Sequence, residues 1–221
     1  MSVRTPRVRT PPIVFLLKEE MLGAFLGSLG EALVSLVNPV SIACLVGFNL
    51  YGRYFLKYIE NREDTVRFTD PVLKRFKPRD YTVANAILFN TSVVCICLET
   101  ISNGTFRDVL HTHALTMLVR VFTLYLLPLS PPLHSIPLRD PIIDWFTKPD
   151  VPLMKDLFVS GHTLFVWVNL FSTQEIYMHS VFAFIVPLLL IGQHVHYTID
   201  VLVSPFVAWA CYSVVQASSG C

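Results

Sequence analysis

Charge is scarce in this sequence. Only 15% of its 221 residues are charged, against about 25% in a soluble globular protein. The charges nearly cancel, with 17 Lys or Arg against 16 Asp or Glu, so no basic face for nucleic acid is expected. Hydrophobic residues make up 53% of the chain, which excludes a disordered chain and disfavours a soluble enzyme.

Several motifs are also absent. The five cysteines include no CxxC pair and form no disulfide framework. The seven histidines include no HExxH, HxxHH or HxxxH, which disfavours zinc proteases and di-iron lipid hydroxylases, so we expect no metal and no cofactor. No signal peptide is visible, because the N-terminus runs into Lys18, Glu19 and Glu20 rather than an apolar core. No two halves resemble each other, which disfavours a transporter.

The scarcity of charge leaves long apolar runs. From Leu157 to Cys221, Glu175 and Asp200 are the only formal charges. A helix needs about 20 apolar residues to cross a bilayer, where every backbone group must be bonded internally. The sequence therefore predicts an all-α integral membrane protein with six transmembrane helices. The predicted spans are 33–54, 82–101, 110–130, 157–175, 178–197 and 199–218.

The remaining segments set the domain organisation. Residues 1–31 form an N-terminal segment in which 13–31 predict an interfacial amphipathic helix, with a seventh span as the alternative. Residues 32–221 form the six-span domain. The loop at 52–81 holds eight Lys or Arg against five acids. The loop at 130–156 is rich in proline, which predicts irregular structure.

Two polar clusters lie where predicted spans begin or end. Ser160-Gly161-His162-Thr163 opens the fourth span, and residues 194–200 join the fifth span to the sixth. Because successive spans alternate in direction, both clusters fall on one membrane face. Ionisable groups in apolar spans are costly and usually functional, so we expect a site there.

The residue types in these clusters favour phosphoryl transfer. His196 and Asp200 are spaced i, i+4, so the carboxylate can orient the imidazole and make its other nitrogen a nucleophile or base. Ser160 and Gly161 open a helix, where unpaired N–H groups favour an anion such as phosphate. His162 is placed to donate a proton to a leaving oxygen. The remaining histidines are expected to be structural: His111, His113, His134, His179 and His194.

These residues also carry a family resemblance. SGHT followed by HYTxDV resembles the paired signature of the sphingomyelin synthase-like branch of the PAP2 lipid phosphatase and phosphotransferase superfamily. Residues 156–163 are similar to the family's CGDxxxSGHT stretch, although Met154 and Lys155 replace its Cys and Gly. Residues 120–131 resemble YRxxTMYVTxLPVP, and Asp70-Pro71 with Pro78 and Asp80 loosely resemble the preceding loop. The resemblance covers roughly residues 65–210.

The resemblance implies a PAP2-like helical bundle with a His-His-Asp triad. His196 would attack the phosphorus of a phospholipid donor, Asp200 would orient it, and His162 would protonate the departing diacylglycerol. A phosphohistidine intermediate would then pass the head group, for example phosphocholine, to a lipid alcohol such as ceramide. The implied reaction is head-group transfer within the bilayer.

A hydrolase is the first alternative, either a PAP2-type lipid phosphatase or a phospholipase C-like enzyme. PAP2 phosphatases hold the phosphomonoester with arginines in Arg-Pro and Ser-Arg dipeptides. Neither dipeptide occurs in this sequence, and Leu189 and Leu190 stand where the second would fall. A phosphodiester carries one charge rather than nearly two, so the transferase is preferred. A catalytically silent, lipid-binding membrane protein is the second alternative.

Three further residues are candidates for substrate or phosphate binding. Arg120 either contacts phosphate or pairs structurally, for example with Glu99. Asp156 either caps the fourth span or tunes His162. Tyr197 is expected to line the head-group pocket. The resemblance implies an exoplasmic or lumenal site, whereas the distribution of Lys and Arg favours the cytosolic face.

Overall fold

The computed structural model describes residues 13–36, 39–139 and 153–219. These ranges are helical and contain no strand, and one isolated parallel bridge joins Val66 to Leu129. The helices are α1 (Ile13–Leu36), α2 (Pro39–Leu50), α3 (Leu56–Glu60), α4 (Thr82–Ser102), α5 (Phe106–Leu126), α6 (Gly161–Ser172), α7 (Ile176–Gly192) and α8 (Thr198–Ser219). A π-helical turn at Tyr51–Phe55 joins α2 to α3.

Three of the described helices are long and apolar enough to cross a membrane: α4, α5 and α8. Their exposed faces are apolar. The exposed side chains include Val83, Ile87, Val94 and Leu98 on α4, Leu118, Phe122 and Leu126 on α5, and Leu202, Phe206 and Trp209 on α8. Large apolar faces turned outward on three helices suit a lipid solvent. The prediction of an all-α chain is confirmed for the described residues, in which three helices, rather than six, have the length and composition of a membrane span.

The interior of the bundle contains many polar side chains in addition to apolar ones. The buried polar side chains include Asn85 and Ser92 on α4, Thr112, His113, Thr116 and Arg120 on α5, Asn169 on α6, and Asp200 and Ser204 on α8. Within α4 the buried residues recur at helical spacing, and three of the five are polar, whereas the large exposed side chains are apolar. Because lipid offers no hydrogen bonds, polar side chains turn toward neighbouring helices.

Helix α6 is the centre of the bundle. Val166 packs with Phe89 of α4 and with Phe182 and Val186 of α7. On its other side α6 packs against α8, where Leu164 and Val168 contact Ala208. The two flanking helices therefore fix the position and direction of α6, whose N-terminus carries the SGHT motif.

The fourth predicted span differs from the helix that the structure contains. Helix α6 has 12 residues, about 18 Å at 1.5 Å per residue, and begins at Gly161 rather than at 157. Leu157 and Val159 precede it as buried, non-helical backbone. Side chains of α5 bond this segment, since Thr123 donates to the Phe158 carbonyl and Arg120 to the Val159 carbonyl. Non-helical backbone is tolerated at such depth only when protein groups satisfy it in this way.

Other predicted boundaries also shift. The third span ends as a helix at Leu126, before Pro128, and the fifth ends at Gly192 rather than at 197. The predicted 52–81 loop begins as helix, because α3 continues to Glu60. Helix α1 continues past residue 31 and lies against the end of α4, where the Ser28 hydroxyl donates to the Ser102 carbonyl over 3.4 Å. Residues 140–152 of the proline-rich loop lie outside the described residues.

Candidate functional site

The two polar motifs meet at one end of the bundle. The Ser160 N–H donates to the Asp200 carbonyl over 3.4 Å. The Ser204 hydroxyl donates to the Asp200 carbonyl at 2.6 Å and lies 3.4 Å from the Ser160 carbonyl. These bonds hold the start of α6 against the start of α8. The end of α7 lies at the same level, because α8 follows it after five residues, 193–197.

His196 and Asp200 form a buried pair. His196 Nδ1 lies 3.5 Å from Asp200 Oδ2, which is longer than an ordinary hydrogen bond. Asp200 is fully buried and His196 is 3% exposed. The Tyr197 N–H donates to the same carboxylate oxygen at 2.9 Å, whereas Asp200 Oδ1 has no hydrogen-bond partner among the described residues. The backbone thus orients the carboxylate, which faces the ring at Nδ1, and Nδ1 has no hydrogen-bond partner among the described residues.

Ser160 caps helix α6. Its hydroxyl oxygen accepts from the Thr163 N–H at 3.4 Å and from the Thr163 hydroxyl at 2.9 Å. The prediction of Asp156 as the cap is wrong, because the helix starts later than predicted and its cap lies four residues further along the chain. Gly161, at the first helical position, leaves room for a neighbour: a Cβ there would lie 2.5 Å from Arg120 Nη1.

The positively charged side chain of Arg120 lies beside the N-terminus of α6. It is 3% exposed; its Nε donates to the Val159 carbonyl at 2.9 Å, and its Nη2 to Asp156 Oδ1 at 2.5 Å. The Tyr51 ring lies 5.7 Å from the guanidinium carbon. The prediction that Arg120 pairs with Glu99 is wrong, because Glu99 lies at the other end of α4 and accepts hydrogen bonds from the Thr173 hydroxyl. Arg120 therefore has a structural role and also adds positive charge at the N-terminus of α6.

His162 projects from α6 toward α4. Its ring centroid lies 4.4 Å from that of Phe89, tilted by 59°. One helical turn from Phe89, on the same buried face of α4, lies Asn85. Asn85 is fully buried, and neither its amide oxygen nor its amide nitrogen has a hydrogen-bond partner among the described residues.

The motif analysis missed Asn85. An unsatisfied buried polar group costs about 1–3 kcal/mol, so its retention points to a polar ligand. The available signal was a polar residue inside the apolar run 82–98. That signal is weak, because Asn90 and Ser92 share it and nothing in the sequence distinguishes the three.

Tyr197 connects the site to the loop before α4. Its hydroxyl donates to the Ser130 carbonyl at 2.8 Å and accepts from the Phe68 N–H at 3.3 Å. Burial raises the pKa of this phenol. Tyr197 also lines a cleft of about 760 Å³ formed by residues 67–78, 132–134 and His194. Tyr197 therefore lies beside a cleft, and its contact with a head group stays a prediction.

Asp70 fastens this loop to α8. Its Oδ2 accepts from the Thr198 N–H at 2.7 Å, and its Oδ1 from the N–H groups of Val72 and Leu73 at 2.8 and 3.2 Å. Burial opposes ionisation, but these donors outweigh it and hold the pKa of Asp70 below its ordinary value. The loop is thereby fixed next to His196.

Three of the histidines expected to be structural have protein partners away from the site. His113 Nε2 lies 3.1 Å from the Asn169 amide oxygen in the middle of the bundle. His179 pairs with Glu99 at 3.3 Å, and His111 lies 3.2 Å from the Ser41 hydroxyl. His134 and His194 instead line the cleft, with His194 buried in it.

The arrangement brings together the groups that phosphoryl transfer needs. One end of the bundle holds an imidazole that faces a buried carboxylate, a second imidazole, and a helix N-terminus next to a buried guanidinium. A helix N-terminus and Arg120 can hold a phosphate oxygen, and the imidazoles can supply a nucleophile and an acid.

Comparison with models of known protein families, with curated proteins and with solved structures gave no match for this chain.

Proposed function

We propose that this protein is a phospholipid head-group transferase of the sphingomyelin synthase type, and that its membrane domain is a six-span PAP2-like bundle. The observation that carries the proposal is the contact of Ser160 with Asp200, which joins the two histidine motifs at the buried start of α6 and α8. The comparisons supply no support for the family, so the proposal depends on this geometry and on the two motifs.

The first step forms a covalent intermediate. His196 Nε2 attacks phosphorus while Asp200 holds the ring through Nδ1, and the bond from phosphorus to the diacylglycerol oxygen breaks. His162 gives its proton to that oxygen. The phosphate keeps its single negative charge, which the α6 N-terminus and Arg120 stabilise.

The second step reverses these roles. The hydroxyl of an acceptor lipid attacks phosphorus, the phosphorus–nitrogen bond breaks, and His162 takes the hydroxyl proton. The 3.5 Å separation between His196 and Asp200 is compatible with this function, because catalytic hydrogen bonds are often long before substrate binds. Asn85 is placed to bond a polar group of donor or acceptor near His162.

A single charged contact at the phosphate favours a diester. Among the described residues, Arg120 is the only buried Lys or Arg. Asp156 already neutralises part of its charge. A phosphomonoester, with nearly two charges, would be held weakly here. The proposal also places the site on the exoplasmic or lumenal face, although the distribution of Lys and Arg favours the cytosolic face.

The test is a transfer assay in liposomes. The full-length protein is given phosphatidylcholine, phosphatidylethanolamine or phosphatidylinositol, each labelled in the head group, with or without ceramide. We expect the label from at least one donor to move to ceramide. Release of labelled phospho-head group into water, independent of ceramide, would instead identify a phospholipase C-like hydrolase. No movement from any donor, by protein shown to be folded, would contradict both.

A further inference from the structure

The cleft beside Tyr197 is strongly cationic. Four of its lining side chains are Lys or Arg and one is acidic. The acid, Asp70, already accepts three backbone hydrogen bonds and so offers little compensation. The four cations are Arg67, Lys74, Arg75 and Lys77.

Three of these cations are available to a ligand. Lys74, Arg75 and Lys77 are exposed, and their side chains make no ion pair with any residue in the described ranges. Arg67 is held by one bond, from its Nε to the Pro131 carbonyl at 3.1 Å. Surface cations usually disperse or pair with acids. Four that converge on one concavity create a positive potential that attracts anions.

A buried histidine supplies a second, independent observation. His194 is 4% exposed and lines the same cleft. Its Nδ1 lies 3.3 Å from the Leu133 carbonyl and so donates to it, while its Nε2 has no hydrogen-bond partner among the described residues. The Phe76 ring contacts it edge-on, with centroids 5.2 Å apart.

The backbone at His194 is also unusual. Its φ of 57° lies in the left-handed region, which non-glycine residues rarely adopt. A buried imidazole that keeps one nitrogen unsatisfied in such a backbone is a feature that functional sites often show. The strain and the unpaired nitrogen both point to a ligand in the cleft.

We propose that this cleft binds a phosphomonoester at a site separate from the phosphoryl-transfer site. A phosphomonoester carries nearly two negative charges and three acceptor oxygens, which match several cations and one imidazole. Neither His162 nor Asp200 lines the cleft. The cleft therefore provides the multiple cations that the buried site around Arg120 does not.

The volume of about 760 Å³ accommodates more than a phosphate ion. It falls within the usual range of about 300–1,000 Å³ for small-molecule sites. The cleft abuts the start of α8, one of the membrane-crossing helices, so the phosphomonoester can belong to a lipid head group or to a soluble ester. Both sources share the chemistry that the cleft recognises.

The test measures binding rather than turnover, so its failure would leave the proposed transferase untouched. The full-length protein in detergent is titrated calorimetrically with glycerol 3-phosphate and, separately, with dihexanoyl phosphatidic acid below its micelle concentration. We expect one site, with Lys74→Ala/Lys77→Ala weakening binding about tenfold or more. Arg107→Ala is the matched control, because Arg107 is half-exposed and lies beyond the opposite end of α4.

A second variant tests the imidazole without disturbing the backbone. His194→Asn keeps a residue that tolerates positive φ but removes the imidazole with its free Nε2, and it should weaken binding of both ligands. If phosphatidic acid binds more tightly than glycerol 3-phosphate, the site is assigned to a lipid. If the two ligands bind equally well, the site is assigned to a soluble ester. No binding of either ligand, or equal binding by the wild-type protein and Lys74→Ala/Lys77→Ala, would overturn the proposal.

Discussion

Asn85 is the residue at which stability and function are expected to conflict. Its buried amide has no partner among the described residues, so replacing it should relieve a desolvation penalty. We predict that Asn85→Leu raises the melting temperature by a few degrees, since about 1 kcal/mol corresponds to 2–4 °C for a chain of this size. Turnover should fall about 10- to 100-fold, because the amide would no longer bond the substrate.

Ser92→Ala is the matched control for Asn85→Leu. Ser92 lies on the same buried face of α4, but its hydroxyl accepts from the Asn169 amide at 2.9 Å. Its loss should lower the melting temperature and leave turnover nearly unchanged. An Asn85→Leu protein that is less stable than the wild type and fully active would show that Asn85 has a structural role only.

Individual site residues are also what the sequence predicted best. The i, i+4 spacing of His196 and Asp200 and the start of a helix at SGHT are both present in the structure. The role of Asp156 could not be derived in the same way. It depends on the partner that a distant residue, Arg120, finds after the chain has folded.

At the scale of elements, the loop that carries the cationic cleft depends on Asp70. Because the pKa of Asp70 is lowered in the folded protein, its stabilising effect is complete above its ordinary pKa of about 4. The effect is lost as the pH falls through the lower, folded-state pKa. We predict that Asp70→Asn lowers the melting temperature at pH 7 by about 4–8 °C, as expected for about 2 kcal/mol.

The pH dependence checks the cause. Melting temperatures of the wild type and Asp70→Asn should begin to converge below about pH 4 and should meet once the pH has fallen below the folded-state pKa of Asp70, because acid removes the same charge. Asp80→Asn is the control, since Asp80 is exposed and bonds to Thr82 within its own turn, and a smaller change is expected. Identical melting temperatures for the wild type and Asp70→Asn at pH 7 would show that the Asp70 carboxylate does not stabilise the loop against α8.

Element boundaries were predicted less well than element identity. Long apolar segments locate helices α4, α5 and α8, because hydrophobicity is a property of the whole segment. The same runs overestimate α6, whose preceding residues are equally apolar but are bonded to α5 side chains instead of to their own backbone. Hydrophobicity reports burial there, and only tertiary contacts decide whether a buried segment is helical.

At the scale of the whole molecule, the length of α4 and its apolar outer face predict that this helix crosses a bilayer. Lys77 precedes α4 and Arg107 follows it, and both are exposed. In a protein whose native cysteines are replaced by alanine, we predict that Lys77→Cys and Arg107→Cys react with a membrane-impermeant maleimide from opposite sides. Labelling of both from one side of sealed vesicles would contradict a crossing.

The same labelling addresses the face of the site. Family resemblance and charge distribution disagree about this face, and no residue pattern in the sequence decides between them. The transferase proposal predicts that position 77 reacts from the exoplasmic or lumenal side. Reaction from the cytosolic side would show that the proposed orientation of the site is wrong, and it would not contradict the crossing of the membrane by α4.

The central claim is that His196 becomes covalently attached to the phospho-head group. The most direct measurement is mass spectrometry of the protein after a brief reaction with an active donor, without acceptor, followed by an alkaline quench that preserves phosphohistidine. The account predicts a head-group phosphate on His196 in the wild type and in His111→Ala, and none in His196→Ala. A modification on His162, or full turnover by His196→Ala, would contradict it.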